Sequence, residues 1–204
     1  MNEYTDMATV LPEAKKGEAE VRHFVINEHL AAFSRLRAVV TRGREGAAKE
    51  GTFAQLFVKS SLVMSDTEHE RQTNWDLLRE ARYGDILIAG LGLGMVLLPI
   101  LAQEKVTSVT VIELSQDAID LVEPHVRKAA GKDADKLTVI QADIYEWKPP
   151  RGARYNTIYF DIWGDICRDN LKDMKQLHQK FRRRKRRGGW MSSWLYQELK
   201  GGWL

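Results

Sequence analysis

Cysteine is almost missing from this chain: among 204 residues only Cys167 is present. A disulfide framework is excluded, and a reducing cytoplasm is the setting that suits a lone thiol. Long apolar runs are missing as well. The nearest, residues 86–102, is broken by three glycines and a proline, so no membrane span is expected. The opening stretch MNEYTDMATVLPEAKKGEAE is polar and acidic, unlike a signal peptide. Internal repeats and long low-complexity tracts are lacking, which leaves no solenoid or linker to argue for. Nor does one charge dominate: 31 basic and 28 acidic residues leave a net +3. The imbalance sits in one place. Residues 180–187, KFRRRKRR, hold seven basic side chains, and without them the net charge is −4. What remains is an ordinary globular balance, 44% hydrophobic and 29% charged, on a chain long enough for one sizeable domain and a small appendage.

Residues 1–18 show no periodicity and are expected to be loose. AEVRHFVI, residues 19–26, alternates as a strand does. Asn27 then suits the N-cap of a helix reaching Val40, with Leu30, Phe33, Leu36 and Val40 on one face. TRGREGAAKEG is a loop. Residues 52–65, TFAQLFVKSSLVMS, read as a hairpin turning at Lys59-Ser60-Ser61. SDTE at 65–68 has capping-box spacing, which predicts a helix to Arg82 ended by Gly84. From Asp85 the rhythm changes to apolar strands alternating with amphipathic helices. That alternation implies an α/β fold: a doubly wound, mostly parallel sheet with helices on both faces. The expected division is a flexible segment at 1–18, a strand, helix and hairpin region at 19–83, and the α/β domain at 84–204. The last strand is expected in GWMSSWLYQE, residues 189–198.

ILIAGLGLGMVLLPILA, residues 86–102, places Gly90, Gly92 and Gly94 at alternate positions between two apolar runs. In doubly wound sheets ligands bind beyond the carboxyl ends of the strands, near the point where strand order reverses. Gly90 can supply a positive φ for the turn out of the strand. Gly92 would let the backbone approach a ligand where a Cβ would collide. Gly94 would let the next helix start close to the sheet, its N-terminus favouring electronegative groups. The third glycine comes one residue earlier than in the dinucleotide fingerprint, and position 95 is Met. The glycines alone would also suit an ordinary strand–helix turn. Three acids add to them. Glu113 ends the next strand, 23 residues after Gly90, where a carboxylate can accept both hydroxyls of a ribose. Asp143, in QADIYEW, can accept from an adenine amino group while Ile144 packs on the ring. Asp161, in YFDIWGD, ends the fourth strand and faces the same crevice. Any one acid could be a helix cap or solvated loop residue; three at consecutive strand ends point to a nucleoside site.

Together ILIAGLGLG, VTVIELS, IQADIYEW and YNTIYFDIW resemble class I S-adenosylmethionine-dependent methyltransferases, and within them the spermidine-synthase-like branch. Ile88 stands where ordinary methyltransferases usually carry an acid. A hairpin and a connecting helix precede the glycine loop. Asp161 and Asp165 follow the fourth strand much as the Asp-Ser-Ser-Asp run does in aminopropyltransferases. The resemblance covers roughly residues 52–165, and VMSDTEHERQTN is similar to uncharacterised bacterial and phage members. It implies a Rossmann-like methyltransferase fold, C-terminally shortened to about five strands from the usual seven. It implies S-adenosylmethionine as cofactor, held by Gly90, Leu91, Gly92, Gly94, Glu113, Leu114, Asp143 and Ile144, with no metal. Asp161 would serve as base or substrate anchor, or only as an anchor for the loop or cofactor.

The departures from that branch bear on function. Aminopropyltransferases carry an Asp that holds the ligand's amino group where this chain has Leu93. Their hairpin glutamine aligns with Met64. Of their Asp-Glu-x-x-Tyr-His-Glu segment only Glu70 survives, and Asp161 and Asp165 are spaced one residue wider. A polyamine is a string of cations and needs carboxylates at fixed intervals, so decarboxylated S-adenosylmethionine and aminopropyl transfer form the lesser alternative. Methyl transfer to a small-molecule acceptor asks less: an in-line nucleophile, and a base only if that nucleophile must lose a proton. A non-catalytic binding or assembly module is the alternative from another class. The basic run at 180–187 could grip phosphates of a nucleic acid, but a helix end stopped by Gly188 and Gly189 suits it better. Trp163 could floor a substrate pocket, while Trp147, Trp190, Trp194 and Trp203 would cover the sheet or a subunit contact. The sheet edge near 189–198 calls for cover by the hairpin or by a second copy, and a homodimer is expected. Cys167 is expected to be inert packing.

Overall fold

The computed structural model describes residues 4–40 and 48–202, apart from the side chains of residues 35 and 37–40. Its first elements are α1 (Met7–Val10), β1 (Ala14–Lys16), β2 (Ala19–Ile26), α2 (Glu28–Val40), β3 (Gly51–Val58) and β4 (Ser61–Ser65). The strands form an antiparallel sheet in the order β1-β2-β3-β4. The alternation of β2 does what it predicts: Ala19 and Val21 point inward and β2 pairs β3 along its whole length, Ala19 opposite Val58 and Ile26 opposite Gly51. The Asn27 side chain accepts the Leu30 N–H at 3.0 Å and starts α2. The expected apolar face of α2 is not covered: Leu30, Phe33 and Leu36 are all exposed, and the Val40 side chain lies outside the described residues. Most of the loop expected at 41–51 also lies outside them.

The hairpin at 52–65 turns on Lys59 and Ser60, both left-handed (φ 51° and 66°). Such two-residue turns match the twist of the flanking strands. Further along, Leu56 pairs with Met64 but Phe57 with Leu62, so Val63 is an extra residue on β4. This bulge breaks the alternation of faces.

The segment expected to be loose is anchored. Met7 and Leu11 are fully buried, and the tie is Asp66. Its completely buried carboxylate accepts the Met7 N–H at 2.6 Å and the Ala54 N–H at 2.7 Å, and pairs with Arg71 at 3.3 Å. A buried carboxylate needs partners to offset its lost hydration, and these come from α1, β3 and α3 (Glu68–Thr73). The capping box expected at 65–68 does not form. Ser65 still belongs to β4, and its N–H and hydroxyl donate to Glu70 at 3.0 and 3.1 Å rather than to Glu68. The helix expected to reach Arg82 is instead two short ones, α3 and α4 (Trp75–Glu80).

The second sheet is parallel throughout: β5 (Gly84–Ala89), β6 (Val106–Glu113), β7 (Leu137–Gln141), β8 (Tyr155–Phe160) and β9 (Lys185–Ser193), in the order β7-β6-β5-β8-β9. Successive residues of each strand face opposite layers. Ile86, Ile88, Val109 and Val111 pack with α5 (Leu97–Leu101) and α6 (Gln116–Ala130). Leu87, Ala89, Ile112, Ile158 and Phe160 pack with Leu177 and Phe181 of α7 (Asn170–Phe181). This is the doubly wound α/β fold that the alternating strands and helices predict, and strand order reverses between β5 and β8. The small sheet is fixed onto it by the β1–β2 turn, where Glu18 N–H donates to Asp117 of α6 at 3.0 Å and Lys16 pairs with Asp120.

Two expectations about the C-terminal third are corrected. The basic run is not a helix end stopped by glycines: α7 closes at Phe181, and β9 already begins at Lys185 with Gly188 and Gly189 inside it. Several of its charges are used internally. Arg186 pairs with Asp85 at 2.8 Å, and Arg184 donates to the Pro150 carbonyl at 3.2 Å. The last strand expected at 189–198 is present but starts and ends earlier, as β9 stops at Ser193, and Tyr196–Gly201 forms α8. Trp147 stacks on Phe181 and Trp190 on Tyr159, while Trp194 donates its ring N–H to Thr73; Trp203 lies outside the described residues. Cys167 is exposed rather than packed.

Asp66→Ala should lower stability by about 3 kcal/mol in urea unfolding, because it strips the acceptor from two buried N–H groups and a charge partner from Arg71. Asp66→Asn should lose less.

Candidate active site

The loop after β5 is shaped by the protein's own atoms. Gly90 has φ 98°, and a Cβ there would lie 1.8 Å from the Asp161 carbonyl oxygen. No L side chain fits. The exits of β5 and β8 run against each other at this point, joined by Asp161 N–H to Ala89 O, while Gly90 N–H to Ile112 O ties the same loop to β6 on the other side, both 2.8 Å. The bare face of Gly92, expected to meet a ligand, meets Met64: a Cβ would stand 2.6 Å from its sulfur. Leu93 N–H also points at that sulfur, 3.4 Å away. Gly94 faces α6, where a Cβ would collide with Val126 at 2.6 Å. Its bareness serves helix packing.

Beyond the strand tips lies a cavity of about 370 Å³. Gly90, Gly92, Glu113, Leu114, Asp143, Ile144 and Asp161 all border it. Leu91 and Gly94 do not; Leu91 is buried in the core and only its N–H takes part. Leu56, Val58, Val63 and Met64 of the hairpin form the opposite wall, and Trp163 lines it as expected. Consecutive residues Val63 and Met64 both reach the cavity because of the bulge at Val63. A second cavity of about 20 Å³ lies deeper, between Leu77, Met95, Tyr159 and the loop. Two other hollows, about 210 and 420 Å³, open beside α5 and border none of these acids.

Glu113 holds the site's framework. One carboxylate oxygen accepts the Leu91 N–H at 2.8 Å and the other the Ser115 N–H at 2.9 Å. It thereby joins the glycine loop to the start of α6, where the Ser115 hydroxyl accepts the Ala118 N–H as N-cap. Each carboxylate oxygen accepts two bonds, so one lone pair on each remains. Asp143 accepts the Tyr145 N–H at 2.8 Å and shapes the turn that presents Ile144. Lys180 holds the far side of that turn, donating to the Ile144 carbonyl at 3.0 Å and to that of Tyr145. The first residue of the basic run thus shapes the cavity wall, which the run's charge alone did not suggest.

Asp161 is the electrostatic centre. Desolvation, with the nearby Glu70 charge adding to it, raises its carboxyl from 3.8 to about 7. Glu70 itself rises from 4.5 to about 7, mainly by burial and despite two hydrogen bonds from Ser65. Tyr159, the neighbour of Asp161 on β8, is raised well above its ordinary value, chiefly by burial. A carboxyl near neutrality can take or give a proton at working pH. Glu70 was visible in sequence only as a surviving family acid. Glu70 is held by two hydrogen bonds from Ser65 at the end of β4, and its charge acts on Asp161 across the chain, which no local pattern announces.

No family model matches the chain, and no curated protein matches it. Solved structures similar to it include the glycopeptide N-methyltransferase MtfA complexed with S-adenosyl-L-methionine, 21% identical over 59% of this chain and 51% of that one, with a TM-score of 0.44. The CcbJ methyltransferase from Streptomyces caelestis is 18% identical over 59% of this chain and 47% of its own, also with a TM-score of 0.44. The methyltransferase domain of bacterial CtHen1 is 12% identical over 54% and 58% of the two chains, with a TM-score of 0.42. The chain spans about half the length of these proteins.

The raised carboxyls tie stability to pH. The folded state keeps protons on Asp161 and Glu70 that the unfolded chain releases near pH 4, so stability should fall as pH rises from about 4 through 7 and level off above. Urea unfolding at pH 5, 6, 7 and 8 checks the slope. Asp161→Asn and Glu70→Gln should each flatten it.

Proposed function

We propose that this protein binds S-adenosylmethionine at the tips of β5, β6, β7 and β8 and transfers its methyl group to a small-molecule acceptor. The observation that carries the reading is the cavity of about 370 Å³ at the reversal of strand order, bordered by Glu113, Asp143 and Asp161. Its size falls in the range of small-ligand sites, roughly 300–1,000 Å³. The residues suit an adenosyl group. The free lone pairs of Glu113 can accept both ribose hydroxyls. The second oxygen of Asp143 can accept an adenine amino group, with Ile144 and Ala142 against the ring.

When bound, the cofactor would supply an electrophilic methyl carbon on a sulfonium. The protein's part is to orient and to manage a proton. Asp161, raised to about 7, is placed to take the proton of an N–H or O–H acceptor as the new bond forms. Trp163 supplies an aromatic wall for that acceptor beyond the adenosyl group.

We place the chain near the spermidine-synthase-like branch on the strength of the hairpin that faces the glycine loop. Aminopropyl transfer is disfavoured, because Leu93, standing where that chemistry uses an acid, is fully buried in the core and can hold no amine. Leucine at this position and the intact cavity argue together for methyl transfer over both polyamine chemistry and a closed, non-catalytic module.

Calorimetric titration with S-adenosylmethionine and S-adenosylhomocysteine tests the reading. Binding should appear in the micromolar range and weaken at least about tenfold in Glu113→Ala and Asp143→Ala, the loss of one or two charge-assisted hydrogen bonds. No binding at millimolar ligand would refute it.

A further inference from the structure

The main and the deeper cavity share four bordering residues: Met64, Gly90, Gly92 and Asp161. Two are glycines with no side chain to move, and the backbone of Asp161 is fixed by its bond to Ala89. Met64 alone is a long, flexible side chain. Its sulfur and methyl carbon stand against the bare face of Gly92, 2.6 and 3.0 Å from where a Cβ would be. Its sulfur also engages the Leu93 N–H at 3.4 Å. The bulge at Val63 turns Met64 toward the loop at this point, and Leu56 lies opposite it on β3. The thioether therefore occupies the stretch of the glycine loop at Gly92 and Leu93, whose backbone could otherwise meet a ligand.

We infer that Met64 is a movable stopper that sets the site's preference among nucleosides by the length of their 5′ substituent. This rests on the nucleoside reading above. A nucleoside without a tail can fill the cavity from Ile144 to Glu113 and leave Met64 in place. A ligand whose 5′ substituent ends in an amino acid must push the thioether off Gly92 to extend along the loop. It then gains the Leu93 N–H, because a sulfur is a weak acceptor that a carboxylate readily replaces. Long-tailed ligands thus carry a displacement penalty that adenosine does not.

The test compares adenosine with S-adenosylhomocysteine on the whole protein. In Met64→Ala the affinity for S-adenosylhomocysteine should rise at least about tenfold while that for adenosine stays within about threefold. Met64→Leu, which keeps the bulk, should leave the ratio near that of the parent. The parent protein labelled with ¹³C at its methionine methyls gives a readout that does not depend on the folding of the alanine variant. The Met64 signal, assigned by its loss in Met64→Leu, should move with S-adenosylhomocysteine and stay with adenosine, while the buried Met7 and Met174 stay with both. Equal gains for both ligands in Met64→Ala, or a Met64 signal unmoved by S-adenosylhomocysteine that binds, would overturn the stopper and leave the nucleoside site standing. Failure of every protein, parent and variant, to bind either ligand would overturn both.

Discussion

The site depends on one contact: the backbone of Gly90 lies against the carbonyl of Asp161, closer than any side chain at position 90 would allow. This fixes the exits of two adjacent parallel strands in one place, at the reversal of strand order where doubly wound sheets present their ligands. The consequences follow in sequence. The Asp161 carboxyl is held next to the glycine loop, in a setting dry enough to move its proton affinity toward neutrality. Glu113, from the other neighbouring strand, ties the same loop to α6 with both oxygens. Three strand ends converge because backbone atoms meet, and their acids are carried along.

The small N-terminal sheet completes the site from the other side. Asp66 ties α1, β3 and α3 into one unit, and the β1–β2 turn binds that unit to α6. With both ends fixed, β4 presents Val63 and Met64 to the cavity, and Ser65 at its end holds Glu70 of α3, whose charge acts on Asp161. The hairpin is thus the site's wall, and the helix that follows it supplies the charge next to Asp161.

Much of this was legible in the sequence. The period of two in residues 19–26 and 52–65 gave strands at those places, and the apolar runs ending on Glu113 and on Phe160 before Asp161 located the strand tips. Gly90, Gly92, Glu113, Leu114, Asp143, Ile144 and Asp161 all border the cavity. What could not be read has physical causes. A bulge is decided by pairing across strands, so the turning of Met64 into the loop leaves no local signal. The bareness of Gly92 suggested a ligand, whereas Met64 fills that space, and the close packing expected at Gly94 is against Val126 of α6; sequence shows that a Cβ is unwelcome but not what excludes it. Asp66 looked like part of a capping box because its long-range partners, Met7 and Ala54, are invisible to a window of a few residues. The basic run looked like a solvated helix end because the pairing of Arg186 with Asp85 spans most of the domain.

A crystal structure of the protein with S-adenosylhomocysteine is the most direct measurement of the central claim. The account predicts adenine against Ile144 with its amino group on Asp143, and the ribose hydroxyls within about 3 Å of Glu113. Ligand seated in either hollow beside α5, or a Glu113 carboxylate that never touches it, would contradict the account.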